Sequence, residues 1–130
     1  MKASERHKRS YAPEGLLVLR GPKEDYGKGS HWVVGDEHGY AEVVLMKNQD
    51  AVYPDTFYIE HILIKELERG NGYGRVLYEK VEGFARNVGA VWIQIDSESE
   101  AVGFWRKMGY TELDRVFYKD KTAMVKRLEP

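Results

Sequence analysis

The run Arg69-Gly70-Asn71-Gly72-Tyr73-Gly74-Arg75 holds the residue types with the most specific chemical potential in this chain. Three glycines at alternate positions strip side chains from a turn, so backbone N–H groups can approach a ligand closely. If a helix begins where the run ends, its first N–H groups are unpaired and the positive end of its dipole points to the same place. Such a place holds phosphate. Arg69 and Arg75 add charge-assisted donors, so the expected ligand is an anion of the pyrophosphate kind. Two common phosphate cradles are excluded. A P-loop needs Gly-Lys-Ser/Thr, whereas Gly74 is followed by Arg75-Val76, and the third glycine of a dinucleotide fingerprint would fall on Arg75 or Leu77. A plainer reading stands beside this one: the glycines could serve only tight packing of a strand against a helix.

The elements that must position this turn can be read on either side of it. Phe57 to Lys65 is rich in β-branched and aromatic residues and predicts a buried strand. After the turn, Tyr73, Val76, Leu77, Val81, Phe84, Ala85 and Val88 recur at steps of three and four, with Arg75, Glu79, Glu82 and Arg86 falling between them, which predicts a helix that Gly89 stops. Gly83 inside this helix costs about 1 kcal/mol against alanine and calls for tertiary support. Val91 to Ile95 predicts a second strand, parallel to the first in a βαβ unit. Upstream, Leu16 to Leu19 reads as a strand ended by Gly21-Pro22, Lys23 to Ser30 as a loop, and His31 to Val34 with Tyr40 to Met46 as a hairpin. Downstream, Ser97 or Ser99 can cap a short helix to about Met108, and Tyr110 to Tyr118 with Thr122 to Leu128 read as two antiparallel strands. The sum is an α/β chain: a mixed, mostly antiparallel sheet of about six or seven strands, a parallel βαβ core and two main helices.

These blocks resemble a known family. Ile64-Lys65-Glu66-Leu67-Glu68-Arg69-Gly70-Asn71-Gly72-Tyr73-Gly74 is similar to the GNAT signature, a strand leading into Arg/Gln-x-x-Gly-x-Gly and a helix. Ala101-Val102-Gly103-Phe104-Trp105-Arg106-Lys107-Met108-Gly109-Tyr110 is similar to the family's Ala-x-x-x-Tyr-x-x-x-Gly-Phe run. The resemblance covers His31 to Leu128 and implies an acetyl-CoA-dependent N-acetyltransferase with an amine acceptor. It implies that Arg69, Gly70, Asn71, Gly72, Tyr73 and Gly74, with Arg75 beside them, cradle the pyrophosphate. The backbone of Ile62, Leu63 and Ile64 would pair with pantetheine and polarise the thioester carbonyl. The chain departs from the pattern in three ways. Trp105 stands where the family often has a proton-donating tyrosine, Glu98 stands where it often has Asn, and only Arg20 to His31 connects the first two strands, where the family usually places two helices. The acceptor side is therefore expected to be open, or completed by a second subunit in a homodimer.

Acetylating an amine needs an unprotonated nucleophile, so a carboxylate or histidine near the thioester is expected as general base. Glu60 is the first candidate, because an ionisable group in a buried strand needs a reason to be there; a salt bridge at the strand edge is the alternative. Strict alternation would put Tyr58, Glu60, Ile62 and Ile64 on one face and His61 and Leu63 on the other. His61 is the second candidate, against a satisfied histidine packed under a helix. Asp96 and Glu98 could hold a cationic acceptor, or simply complement a helix dipole. Tyr110, or Tyr118, could replace the missing acid, although nine tyrosines dilute any single choice. Trp105 is expected to pack on pantetheine.

Composition narrows the remaining classes. With 130 residues and 42% apolar content, the chain suits one domain over 1–130 with residues 1–12 as a flexible basic tail. Twenty basic against 21 acidic residues leave a net charge of −1, with no overall pull toward nucleic acid or a membrane surface. The absence of cysteine excludes disulfides, a thiol nucleophile and zinc–thiolate sites, and fits the reducing cytoplasm. The longest apolar runs are too short to span a membrane, Met1 to Ser10 lacks the apolar stretch of a secretory signal, and His7, His31 and His38 lack metal-ligand spacing with carboxylates, so no metal is expected. A degenerate acyl-CoA-binding module without turnover is the alternative to an enzyme.

Overall fold

The computed structural model describes residues 12–25, 29–48, 51–65 and 70–129; the expected basic tail lies, up to residue 11, outside them. Strands β1 (Leu17–Asp25), β2 (Gly29–Asp36), β3 (Gly39–Met46) and β4 (Thr56–Ile64) precede helix α1 (Tyr73–Asn87). Strand β5 (Trp92–Glu98), a 3-10 turn (Ser99–Ala101), helix α2 (Val102–Lys107) and strands β6 (Thr111–Glu112) and β7 (Lys121–Arg127) complete the order. The seven strands make one sheet in the order β1-β2-β3-β4-β5-β7-β6. Only β4 and β5 run parallel; every other neighbouring pair is antiparallel. This is the mixed sheet with a βαβ centre that the sequence predicts. Among the described residues no helix is long and apolar enough to cross a membrane.

The core lies between α1 and one face of the sheet. Leu77, Val81, Phe84 and Ala85 are buried against Trp32, Val34, Val43, Phe57, Ile59 and Ile93. Phe84 meets the edges of Trp32 and Phe57, with ring centroids 5.3 and 6.0 Å away. A Cβ at Gly83 would make only ordinary contact with Pro13, at 3.5 Å, so the chain before β1 packs alongside this glycine without requiring it. The helical face differs from the predicted one at three positions: Val76 is 44% exposed, and Tyr78 and Glu82 are buried. Glu82 is tolerated because its carboxylate accepts from Arg86 at 2.6 Å and from Lys126 at 3.1 Å. Burial alone would raise this carboxyl; the Lys126, Tyr78 and Arg86 donors outweigh burial and hold it below its ordinary range.

Four local expectations are corrected. β1 does not stop at Gly21-Pro22 but continues to Asp25 through irregular register, with shifts between Val18 and Arg20 and between Arg20 and Lys23. Edge strands accept such bulges and a proline, and Gly21, at φ +101°, lets the backbone approach His31 where a Cβ would lie 2.4 Å from its carbonyl oxygen. Tyr110 to Tyr118 yields only Thr111–Glu112 as strand; after Leu113 donates to the Ala123 carbonyl the chain leaves the sheet. Neither Ser97 nor Ser99 caps α2, because Ser97 is still in β5 and Ser99 opens the 3-10 turn. The alternation of β4 breaks at Glu60. Glu42 pairs with His61 while Val43 pairs with Ile59, so Glu60 is the extra residue of a bulge. Phe57 and Ile59 face α1 before the bulge, and Ile62 and Ile64 face it after.

A carboxyl held below its ordinary value stabilises the fold at pH above that value, ~4.3 for glutamate, and loses that contribution as pH falls through the folded-state pKa. Glu82→Gln is therefore expected to lower stability by about 1–3 kcal/mol at pH 7. Urea unfolding should show the gap to the parent chain shrinking at pH 3.5. An equal gap at both pH values would show that the charge of Glu82 contributes nothing.

Candidate active site

The glycine run opens α1 as predicted. Gly70 and Gly72 take φ of +86° and +79°, left-handed conformations that favour glycine. Gly72 is the N-cap, and no side chain caps the helix. The first helical bond runs from the Val76 N–H to the Gly72 carbonyl, so the helix itself leaves the N–H groups of Tyr73, Gly74 and Arg75 unused. No acidic residue stands in the first turn to occupy that positive end. The packing explanation for the glycines fails here. A Cβ on Gly70 or Gly72 would meet no described atom within 4 Å, and one on Gly74 would make only ordinary contact with Ile64 at 3.6 Å. Among the described residues, nothing fills the space where those Cβ atoms would lie. Arg75 is exposed and pairs loosely with Glu79 at 3.4 Å. Arg69 lies outside the described residues.

The loop is held from the side by the β2–β3 turn. Tyr73 stacks on His38, with centroids 3.6 Å apart and planes 3° from parallel. Asp36 accepts from the His38 and Gly39 N–H groups and pairs with Lys80 of α1 at 3.1 Å. Burial alone would raise the Asp36 carboxyl, but those donors outweigh it and keep it below its usual range.

From the loop, the β5 side of β4 forms a track toward the sheet centre. β4 and β5 share only three register pairs, Thr56↔Trp92, Phe57↔Ile93 and Tyr58↔Gln94, and then diverge. Beyond Tyr58, β4 keeps its ladder to β3 on its other side, through Ile62↔Ala41, Leu63↔Tyr40 and Ile64↔Gly39. The two strands therefore part beyond Tyr58, and Ile62, Leu63 and Ile64 lie along the unpaired side of β4.

Glu60 sits at the bulge, just past the point of divergence. Its side chain is 27% exposed and lies 3.4 Å from Nε2 of His31. His61 is exposed, not packed under a helix. Tyr110, read as a substitute acid, is placed in the core instead of the groove: it is 2% exposed, with its hydroxyl 2.7 Å from that of Tyr78. Burial first, and then Tyr78, push its phenol well above the ordinary value. Trp105 is partly buried against Tyr78, Phe104 and Tyr110, edge-on to each. Glu98 is paired with Lys121 at 3.5 Å.

Asp96, read from the sequence as able to hold a cationic acceptor, lies on the sheet face away from α1 in a cluster with Tyr58 that the sequence did not show. The Tyr58 hydroxyl donates to Oδ2 of Asp96, and both side chains line a pocket of about 310 Å³ that Tyr118 and Phe117 also wall. Burial, then the Asp96 carboxylate, raise the Tyr58 phenol far above its ordinary range, so it stays a neutral donor. The signal was the parallel register itself: once Tyr58 is opposite Gln94, Asp96 falls two residues on, on the same face. Among the described residues no group of three or more His, Cys, Asp or Glu side chains could hold a metal.

Comparison with known proteins fits this arrangement. The family model of the acetyltransferase (GNAT) domain matches residues 26–126. Comparison with curated proteins finds no match. A candidate N-acetyltransferase from Lactobacillus plantarum is 19% identical, with a TM-score of 0.62 over 76% of this chain and 68% of that one. PaiA N-acetyltransferase from Thermoplasma acidophilum, solved in complex with coenzyme A, is 14% identical, with a TM-score of 0.57 over 75% and 60%. Escherichia coli ElaA is 16% identical, with a TM-score of 0.60 over 84% and 74%. Likeness at these identities establishes the fold. The family model spans well over half of the chain and meets a sheet that parts between β4 and β5 beside a glycine-opened helix; this chain belongs to the GNAT acetyltransferase family.

Proposed function

We propose that the chain transfers an acetyl group from acetyl-CoA to a primary amine of a small molecule or protein. One observation carries the reading: an open strand edge runs from an uncapped, glycine-opened helix to a bulged glutamate. The loop N–H groups from Gly70 to Gly74, with Arg69 and Arg75, cradle the pyrophosphate. The β4 backbone at Ile62, Leu63 and Ile64 pairs with pantetheine and polarises the thioester carbonyl. The amine nitrogen attacks that carbonyl carbon, the new C–N bond replaces the C–S bond, and the sulfur leaves as thiolate. The proton lost by the amine goes to Glu60, directly or through water. His61, exposed beside it, is the second choice for this step.

No acid is needed to complete the balance. A thiol of this kind has a pKa near the ~8.5 of free cysteine, so its thiolate leaves readily and takes a proton from water. Positioning and carbonyl polarisation then supply most of the rate. Trp105 in place of a tyrosine and the sealed Tyr110 favour the second reading, an acyl-CoA-binding module without turnover.

Calorimetry with acetyl-CoA, followed by an amine screen that detects free thiol, tests the proposal. Gly72→Val is expected to abolish coenzyme binding, because valine disfavours φ +79° and its side chain would fill the space in front of the loop. Unchanged affinity in a folded variant would sink the phosphate-loop reading. Glu60→Gln is expected to lower turnover about a hundredfold with coenzyme affinity retained; full activity there, with loss in His61→Ala, would move the base to His61. Trp105→Tyr should fold normally and change turnover by less than about tenfold if positioning dominates. A large rise in turnover would show instead that an acid was missing.

A further inference from the structure

The pocket around Asp96 has a chemistry of its own. It opens on the sheet face away from α1, where β4 and β5 part, on the same face as the bulged Glu60. Its walls are the rings of Tyr58, Phe117 and Tyr118, the aliphatic Val52 and Met46 and the amide of Gln94, and among the described lining residues Asp96 is the charged one. No lysine, arginine or histidine lines it among the described residues. Lys121 lies 6.0 Å from the centre of the Tyr118 ring and is paired with Glu98.

The carboxylate is only half used. Oδ2 accepts the Tyr58 hydroxyl, while Oδ1 is buried with no partner among the described residues. An ionised carboxylate offers about four acceptor positions, and a buried polar atom without a partner costs free energy until a donor reaches it. Asp96 lines the pocket, so a donor bound there can reach its carboxylate. What relieves it must bring N–H or O–H donors. The ring faces select among donors, since they attract cations and give an anion nothing. A volume of about 310 Å³ lies at the small end of ligand sites, which run from ~300 to ~1,000 Å³.

We infer that this pocket seats the acceptor, and that the acceptor enters as a small aliphatic primary ammonium, with its charge on Asp96 and its methylenes between Phe117, Tyr118 and Val52. The inference rests on the acyl-transfer reading for the fate of the amine, but not for its binding. Asp96 and the Tyr58 hydroxyl that orients it set which amines are accepted; Glu60 remains the proton acceptor.

The test titrates n-butylammonium chloride, 1-butanol and sodium butyrate into the full chain, followed by amide shifts in NMR spectra, with coenzyme A calorimetry on the same samples. Butylammonium is expected to give saturable shifts at Tyr58, Asp96 and Tyr118, and the other two probes none. Asp96→Asn should weaken butylammonium at least tenfold and raise KM for butylamine similarly, with coenzyme affinity unchanged. Phe117→Lys, on a wall residue that is 47% exposed, adds a like charge without touching the core and should weaken the amine as much with an unaltered melting temperature. Equal binding of butanol, or unchanged amine affinity in both variants, overturns the inference while leaving acyl transfer standing. Saturable amine binding lost in both variants, in a chain that does not bind coenzyme A, upholds the pocket and overturns the transferase.

Discussion

The parallel pairing of β4 and β5 stops after Tyr58 and Gln94, and the rest of the site is arranged around that stop. At the paired end, Phe57 and Ile93 are wholly buried beneath Phe84 and its neighbours on α1, which keeps the two strands side by side. Past that point the bulge at Glu60 shifts β4 by one residue against β3. Extra twist at a bulge turns a strand away from its former plane. The consequence is one strand edge that leads from the middle of the sheet to the glycine loop. Because α1 begins where that edge ends, the unpaired N–H groups of its first turn come to lie at the far end of the same track.

Legibility in the sequence followed how local each feature is. α1 was readable because the helical period and the Gly72 and Gly89 boundaries are properties of one segment. The glycine loop was readable for the same reason, although whether packing or a ligand required it needed the contacts around Gly70 and Gly72. β1 was cut short on paper at Gly21-Pro22, because a proline stops an interior strand; nothing in those residues says that this strand is an edge. The bulge was invisible because it is a relation between two strands: Glu42 and Val43 are adjacent, yet their partners His61 and Ile59 are not. Strict alternation therefore placed Glu60 with Ile62 and Ile64, whereas it points with His31 to the opposite face.

The site residues divide along the same line. Glu60 could be singled out as an ionisable group in an apolar strand, which is a local anomaly. Asp96 could also be singled out, but its partner Tyr58 carries no such mark, being 38 residues away and ordinary in its strand. They meet because a parallel register brings positions 58 and 94 together, and a register across a helical crossover is set by the packing of α1, not by either strand. Tyr110 shows the converse. Its type suited an acid, but the turn after α2 returns it beneath Tyr78, where two buried hydroxyls satisfy one another.

The short link between β1 and β2 shapes how such a site can work. These strands pair from Leu17↔Gly35 to Asp25↔Gly29, so no helices intervene to cover the acceptor side. Among the described residues the Phe117–Tyr118 turn and Val52 are what stand over the pocket. An open face keeps water close, and water weakens every charge interaction that a closed site would strengthen. On the proposed reading, selectivity among amines rests on Asp96 and the rings about it, which the sheet itself supplies. The same openness eases the chemistry on the leaving side. On the proposed reaction a thiolate that departs into water needs no dedicated acid, and Trp105 packs edge-on against Tyr78 and Tyr110 at the junction of α1 and α2.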